Sequence, residues 1–165
     1  MPPPSLKRGM TDRERKVENR FQNFTMSILR IHKLIQRIKL LEMDEYGLKA
    51  IHVMCLYLLN EHEGGLTAGD LIRYTLEDKA AISRGVKLLK EKGYVEQDEH
   101  KNNSLIKLTP SGKTIADLVI QKAERAVAFG GQNLEEETRE TLYAALADIA
   151  DNLGEYYKNL AETKK

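Results

Sequence analysis

A chain of 165 residues suffices for one domain, or one domain with helical extensions, and with aromatics at only 6% its core must come mainly from Leu, Ile, Val and Ala. A net charge of +1 excludes both a general nucleic-acid coat and an acidic solubiliser, yet the charge is unevenly spread: residues 1–41 hold ten Lys/Arg against three Asp/Glu, and residues 114–165 hold six against ten. The single cysteine, Cys55, excludes an intrachain disulfide and suits a reducing cytoplasm, and no apolar run approaches the roughly 18 residues of a membrane span.

In chain order, the N-terminal MPPPSLKRG lacks the apolar stretch of a secretion signal and reads as a disordered arm over 1–11. From Val17 the apolar positions run Val17, Phe21, Phe24, Ile28, Ile31, Ile35 and Ile38, a 4-3-4-3-4-3 seam that predicts a long helix with a second helix against it. Asp44 is expected to cap a helix near Glu45 to Glu61, which Gly64-Gly65 ends. Thr67 and Asp70 have the spacing of a capping box, and Asp78 can cap a following helix that stops at Gly93. Tyr94 to Asp98 and Leu105 to Leu108 read as strands around the polar tip Glu99 to Ser104. Thr109-Pro-Ser-Gly opens a helix running to about Phe129, and Asn133 to Glu136 are expected to cap the last one. That helix carries a second seam: Leu142, Leu146, Ile149, Leu153, Tyr156 and Leu160.

On the helix after Asp78, Ile82, Val86 and Leu89 recur at 4-3 spacing, so they face a core and leave Lys79, Ala80, Ser83, Arg84, Lys87 and Lys90 outward or flanking. Small residues near the N-terminus, one hydroxyl and a forked guanidinium are what a helix needs to enter a major groove. Such a face is usually only solvated. Here a short capped helix and a strand-tip-strand unit surround it, which is the order of a winged helix-turn-helix.

Within Leu66 to Gly112, the words LLKEKGYV and LIKLTPSGK resemble the helix-exit and wing-exit signatures of the MarR family, and AISR falls where that family's recognition helix does. The resemblance covers roughly Val17 to Leu160, with specific motifs only in 66–113. It implies a dimer built from the first and last two helices, palindromic operators, and often a small ligand that weakens DNA binding. Carried onto matching positions, Thr67 would sit at a phosphate-contacting helix start. Lys79, Ala80, Ser83, Arg84 and Lys87 would face the major groove, and the wing tip with Lys101, Asn102 and Asn103 would approach the minor groove. Where the family's wing has Asp and Arg, this chain has His100 and Asn102, and its Thr75-Leu76-Glu77 turn lacks the frequent glycine. Asn can read a minor groove but lacks the charge that narrow A·T tracts attract.

Other chemistry is weakly signalled. Cys55 lies among apolar neighbours and reads as a buried structural thiol. Glu42, Asp44, Glu45 and His52 could suggest metal, but an acidic helix start explains them as well, so no metal or cofactor is expected. No nucleophile elbow or phosphate-binding glycine loop is present, and an enzyme is not expected. Tyr46, His52, Met54 and Tyr57 are the candidates to face a small aromatic or other effector, with a core or interface role as the alternative.

The expected fold is mainly α with a small β wing: an arm (1–11), a dimerisation helix (12–45), a winged helix-turn-helix DNA-binding domain (46–109) and C-terminal dimerisation helices (110–165). The expected function is a cytoplasmic homodimeric regulator, a repressor rather than an activator, that binds a pseudo-palindrome in double-stranded DNA and has no membrane partner. The alternative is a winged-helix dimer that acts as a protein-interaction module without specific DNA binding.

Overall fold

The computed structural model describes residues 12–97 and 104–163, with side chains from residue 22 onward. The elements are α1 (Asp12–Met43), a 3₁₀ turn (Asp44–Tyr46), α2 (Ala50–Glu61), α3 (Ala68–Thr75), α4 (Lys79–Glu91), β1 (Val95–Gln97), β2 (Ile106–Leu108), α5 (Pro110–Gly130) and α6 (Glu136–Thr163). The protein is mainly α with a small β wing, as the sequence implied. The chain divides after Lys122, within α5, into two compact units.

The core of the first unit is apolar and continuous. Met43, Leu48, Leu56, Leu71, Ile82, Leu89 and Ile106 are its largest fully buried side chains, drawn from α1, α2, α3, α4 and β2. At its centre is α2, with His52, Val53, Cys55, Leu56 and Leu59 all buried, because a helix surrounded by others is apolar on more than one side. Gly112, Ala116 and Val119 bury the first half of α5 in the same unit.

The start of α2 differs from expectation. Asp44 does not cap it: Asp44 to Tyr46 form the 3₁₀ turn, and Gly47 follows at φ 63°, donating its N–H to the Asp44 carbonyl. The left-handed glycine ends that turn and lets Leu48 reach the core, at 1% exposure, before α2 begins at Ala50. The N-cap is Lys49, whose N–H is accepted by His52 Nδ1 at 2.8 Å.

The wing is a two-stranded antiparallel ladder pairing Val95 with Leu108, Glu96 with Lys107 and Gln97 with Ile106. Leu66 adds a bridge to Ile106. Residue 65 must be glycine: its φ is 90°, and a Cβ there would lie 2.7 Å from the Ile106 carbonyl oxygen. The tip, with His100, Lys101, Asn102 and Asn103, lies outside the described residues.

In the second unit, α6 begins at Glu136 rather than after a cap at Asn133. Gly131 to Leu134 instead close a turn, Leu134 N–H donating to the Gly131 carbonyl at 2.9 Å. The Arg139 guanidinium covers that turn, donating to the carbonyls of Gly131 and Leu134. The first bond of α6 runs from Arg139 N–H to the Glu135 carbonyl.

Candidate nucleic-acid interface

The helix-turn-helix is set by its caps. Thr67 Oγ1 accepts from Asp70 N–H at 3.1 Å, and Asp70 Oδ2 accepts from Thr67 N–H at 3.0 Å and from its hydroxyl at 2.7 Å. This is the capping box the sequence implied. The two Thr67 bonds, and then the Arg73 charge, hold the Asp70 carboxyl below the usual carboxylate range. The Thr67 hydroxyl proton is therefore committed to Asp70.

Leu76 closes α3 at φ 57°, donating its N–H to the Ile72 carbonyl at 2.9 Å. It is the residue that occupies the left-handed position the missing glycine would have taken. Two residues on, Asp78 accepts from Ala81 N–H at 2.7 Å and starts α4. On α4, Ile82, Gly85, Val86 and Leu89 are buried, while Lys79, Ala80, Ser83, Arg84 and Lys87 are exposed. All five proposed groove-facing residues thus share the solvent face. Lys87 lies 3.9 Å from Glu91, an exposed pair that holds little energy.

Sequence inspection missed Gly85, whose Cβ would lie 3.4 Å from Ile51 Cγ1 and 3.7 Å from His52 Cδ2. The recognition-type helix thus packs closely on α2 at this point.

The two motif words are parts of one joint. Gly93 N–H donates to the Lys90 carbonyl and Tyr94 N–H to that of Leu89, which is a Schellman ending for α4. The Gly93 carbonyl then accepts from the hydroxyls of Thr109 at 2.6 Å and Ser111 at 2.9 Å. A Cβ on Gly112 would fall 1.8 Å from the Tyr94 carbonyl oxygen. The Thr-Pro-Ser-Gly segment therefore clasps the end of α4 to the start of α5, and β1 and β2 leave from this joint.

The candidate effector residues do not converge. Met54 and Tyr57 are three apart on one side of α2, whereas His52 lies on the α4 side beside Gly85. His52 is buried, and burial, then the charges of Lys49 and Lys92, lower its pKa. Tyr46 packs against the core, and Met54 Sδ lies 2.8 Å from Lys39 Nζ. Burial pushes the Cys55 thiol up to about 12, which makes it inert at neutral pH. Glu42 and Glu45 point to Lys122, at 2.6 and 3.8 Å. Among the described residues no group of three or more His, Cys, Asp or Glu could hold a metal ion, and no helix is long and apolar enough to cross a membrane.

Residues 46–102 match the family model described as MarR family. No curated protein matches the chain by sequence. Among solved structures, the MarR protein from Peptoclostridium difficile DA00132 superposes with a TM-score of 0.76 at 17% identity, over 96% of this chain and 99% of that one. A MarR transcriptional regulator from Methanosarcina mazei Go1 gives 0.73 at 18% identity, over 79% and 89%. CouR from Rhodococcus jostii RHA1, solved bound to p-coumaroyl-CoA, gives 0.69 at 19% identity, over 77% and 91%.

Proposed function

We propose that this chain, whose residues 46–102 match the family model described as MarR family, is a DNA-binding transcriptional regulator, and more closely a homodimeric repressor that binds a pseudo-palindromic operator in the cytoplasm. The observation that carries the reading is the solvent face of α4, where Lys79, Ala80, Ser83, Arg84 and Lys87 stand clear of the core between a capped turn and a wing. The small residues let the helix enter a major groove, and Arg84 is the side chain able to bond two base acceptors. In this reading Lys101, Asn102 and Asn103 approach the minor groove from the wing tip.

The second copy is argued from the two seams. Phe24, Ile28, Ile31, Ile35 and Ile38 of α1 are each at least 37% exposed, and Leu142, Leu146, Leu153, Tyr156 and Leu160 of α6 at least 36%. Apolar rows of that length are buried in a stable soluble assembly. Half-sites then lie about 34–36 Å apart, so that two α4 helices enter successive major grooves. A small organic effector is part of the proposal, supported by the complex of the neighbouring CouR with p-coumaroyl-CoA.

Selection of random duplexes with the purified protein, followed by sequencing, tests the reading. An enriched inverted repeat supports it. No enrichment at low salt would favour a protein-interaction module instead. Arg84→Ala is expected to cost about 1–3 kcal/mol and to relax one position of each half-site if the contact is to guanine. A uniform loss with a flatter salt dependence would instead place Arg84 on phosphate.

A further inference from the structure

Three elements meet at the C-terminus of α1. Lys122 of α5 donates to the Glu42 backbone carbonyl at 3.0 Å and to its carboxylate at 2.6 Å, and lies 3.8 Å from Glu45 in the 3₁₀ turn. A cation on the last carbonyls of a helix is favoured by the helix dipole. The Lys122 side chain is only 15% exposed, whereas the pairs Arg73–Asp70, Lys87–Glu91 and Lys113–Asp117 each lie within one helix. Pairs inside a helix cannot fix an angle between helices. The Lys122 contacts join residues 80 positions apart and can. Lys39 fastens the same end of α1 to α2 through Met54.

We propose that Lys122 is a positioning residue for DNA recognition: by holding the end of α1 against α5 it sets the angle between the dimerising helix and the winged lobe, and so the half-site spacing that the two lobes accept. This inference rests on the homodimeric, palindrome-binding reading above. Leverage makes the angle matter. The 32 residues of α1 span about 48 Å, so a tilt of about 5° at this elbow moves the far end by about 4 Å. That is close to the rise of about 3.4 Å per base pair. The hydrogen bond to Glu42 raises the pKa of Lys122, so the latch is charged at neutral pH.

The test is quantitative binding to the selected operator, rebuilt with spacers one and two base pairs shorter or longer, by wild type and by Lys122→Met. Wild type is expected to lose about tenfold or more on the mis-spaced duplexes, and Lys122→Met about threefold or less, with affinity for a single half-site unchanged. Lys122→Arg, which keeps the charge, should restore the spacing preference. Should the Met variant fold poorly, Glu42→Gln combined with Glu45→Gln opens the same latch from its exposed side. Variants that weaken every spacer by one common factor would show Lys122 to be merely structural and overturn the inference. A wild-type protein with no spacing preference would overturn the palindromic reading, and the inference with it.

Discussion

Two glycines of this chain are equivalent as letters, and the structure separates them. At Gly112 a Cβ would collide with the Tyr94 carbonyl oxygen at 1.8 Å, so Gly112→Ala must part α5 from the end of α4. We expect a loss above about 3 kcal/mol in denaturant unfolding, or no folded protein. Gly85→Ala meets only ordinary contacts at 3.4 Å and beyond, and removes a glycine from a helix interior. It should be neutral or stabilise by up to about 1 kcal/mol. Leu76 is the converse, a left-handed residue with a Cβ and 91% exposure. Leu76→Gly relieves about 1–2 kcal/mol of backbone strain but adds freedom to the unfolded chain, for a net gain of about 0.5–1 kcal/mol. Loss of stability in that variant would mean that Leu76 makes contacts in the protein that offset its strain. Cys55 should resist alkylation at neutral pH until the protein unfolds, since its thiol is raised to about 12. Fast labelling of the native protein would contradict its burial.

At the scale of elements, the caps were legible because each needs only a local spacing. Thr67 with Asp70, and Asp78 ahead of α4, formed as the sequence implied. Thr67→Ala should cost about 1 kcal/mol. The Asp70 carboxyl, lowered first by its bonds to Thr67, stabilises the fold fully above the unfolded carboxylate pKa of about 3.9. That contribution is lost as pH falls through the lower folded value. Asp70→Asn should therefore flatten the stability profile below about pH 4, measured by urea unfolding across pH. Asp44 and Asn133 failed as caps for one reason. Each lies within a turn that contacts beyond the cap dictate: Leu48 needed burial after Gly47, and Arg139, from the first turn of α6, holds the Gly131–Leu134 turn. Cap residues state a preference, and burial overrules it.

For the whole molecule the decisive feature is what stays uncovered. Ile31 is 52% exposed and Leu153 55%, each in the middle of an apolar seam. Replacing either with Asp should put an unpaired charge into the proposed dimer interface, cost several kcal/mol, and give monomers in sedimentation. A wild type that sediments as a stable monomer at micromolar concentration would refute the assembly. The sequence by itself determined the order of elements, the inward row Ile82, Val86 and Leu89, and the outward face of α4, because periodicity and caps act over a few residues. Only the tertiary structure decided the contacts that join distant segments. The clasp of Thr109 and Ser111 on Gly93, the packing of Gly85 on α2 and the hold of Lys122 on Glu42 depend on where whole segments cross, and no local pattern of residues encodes a crossing.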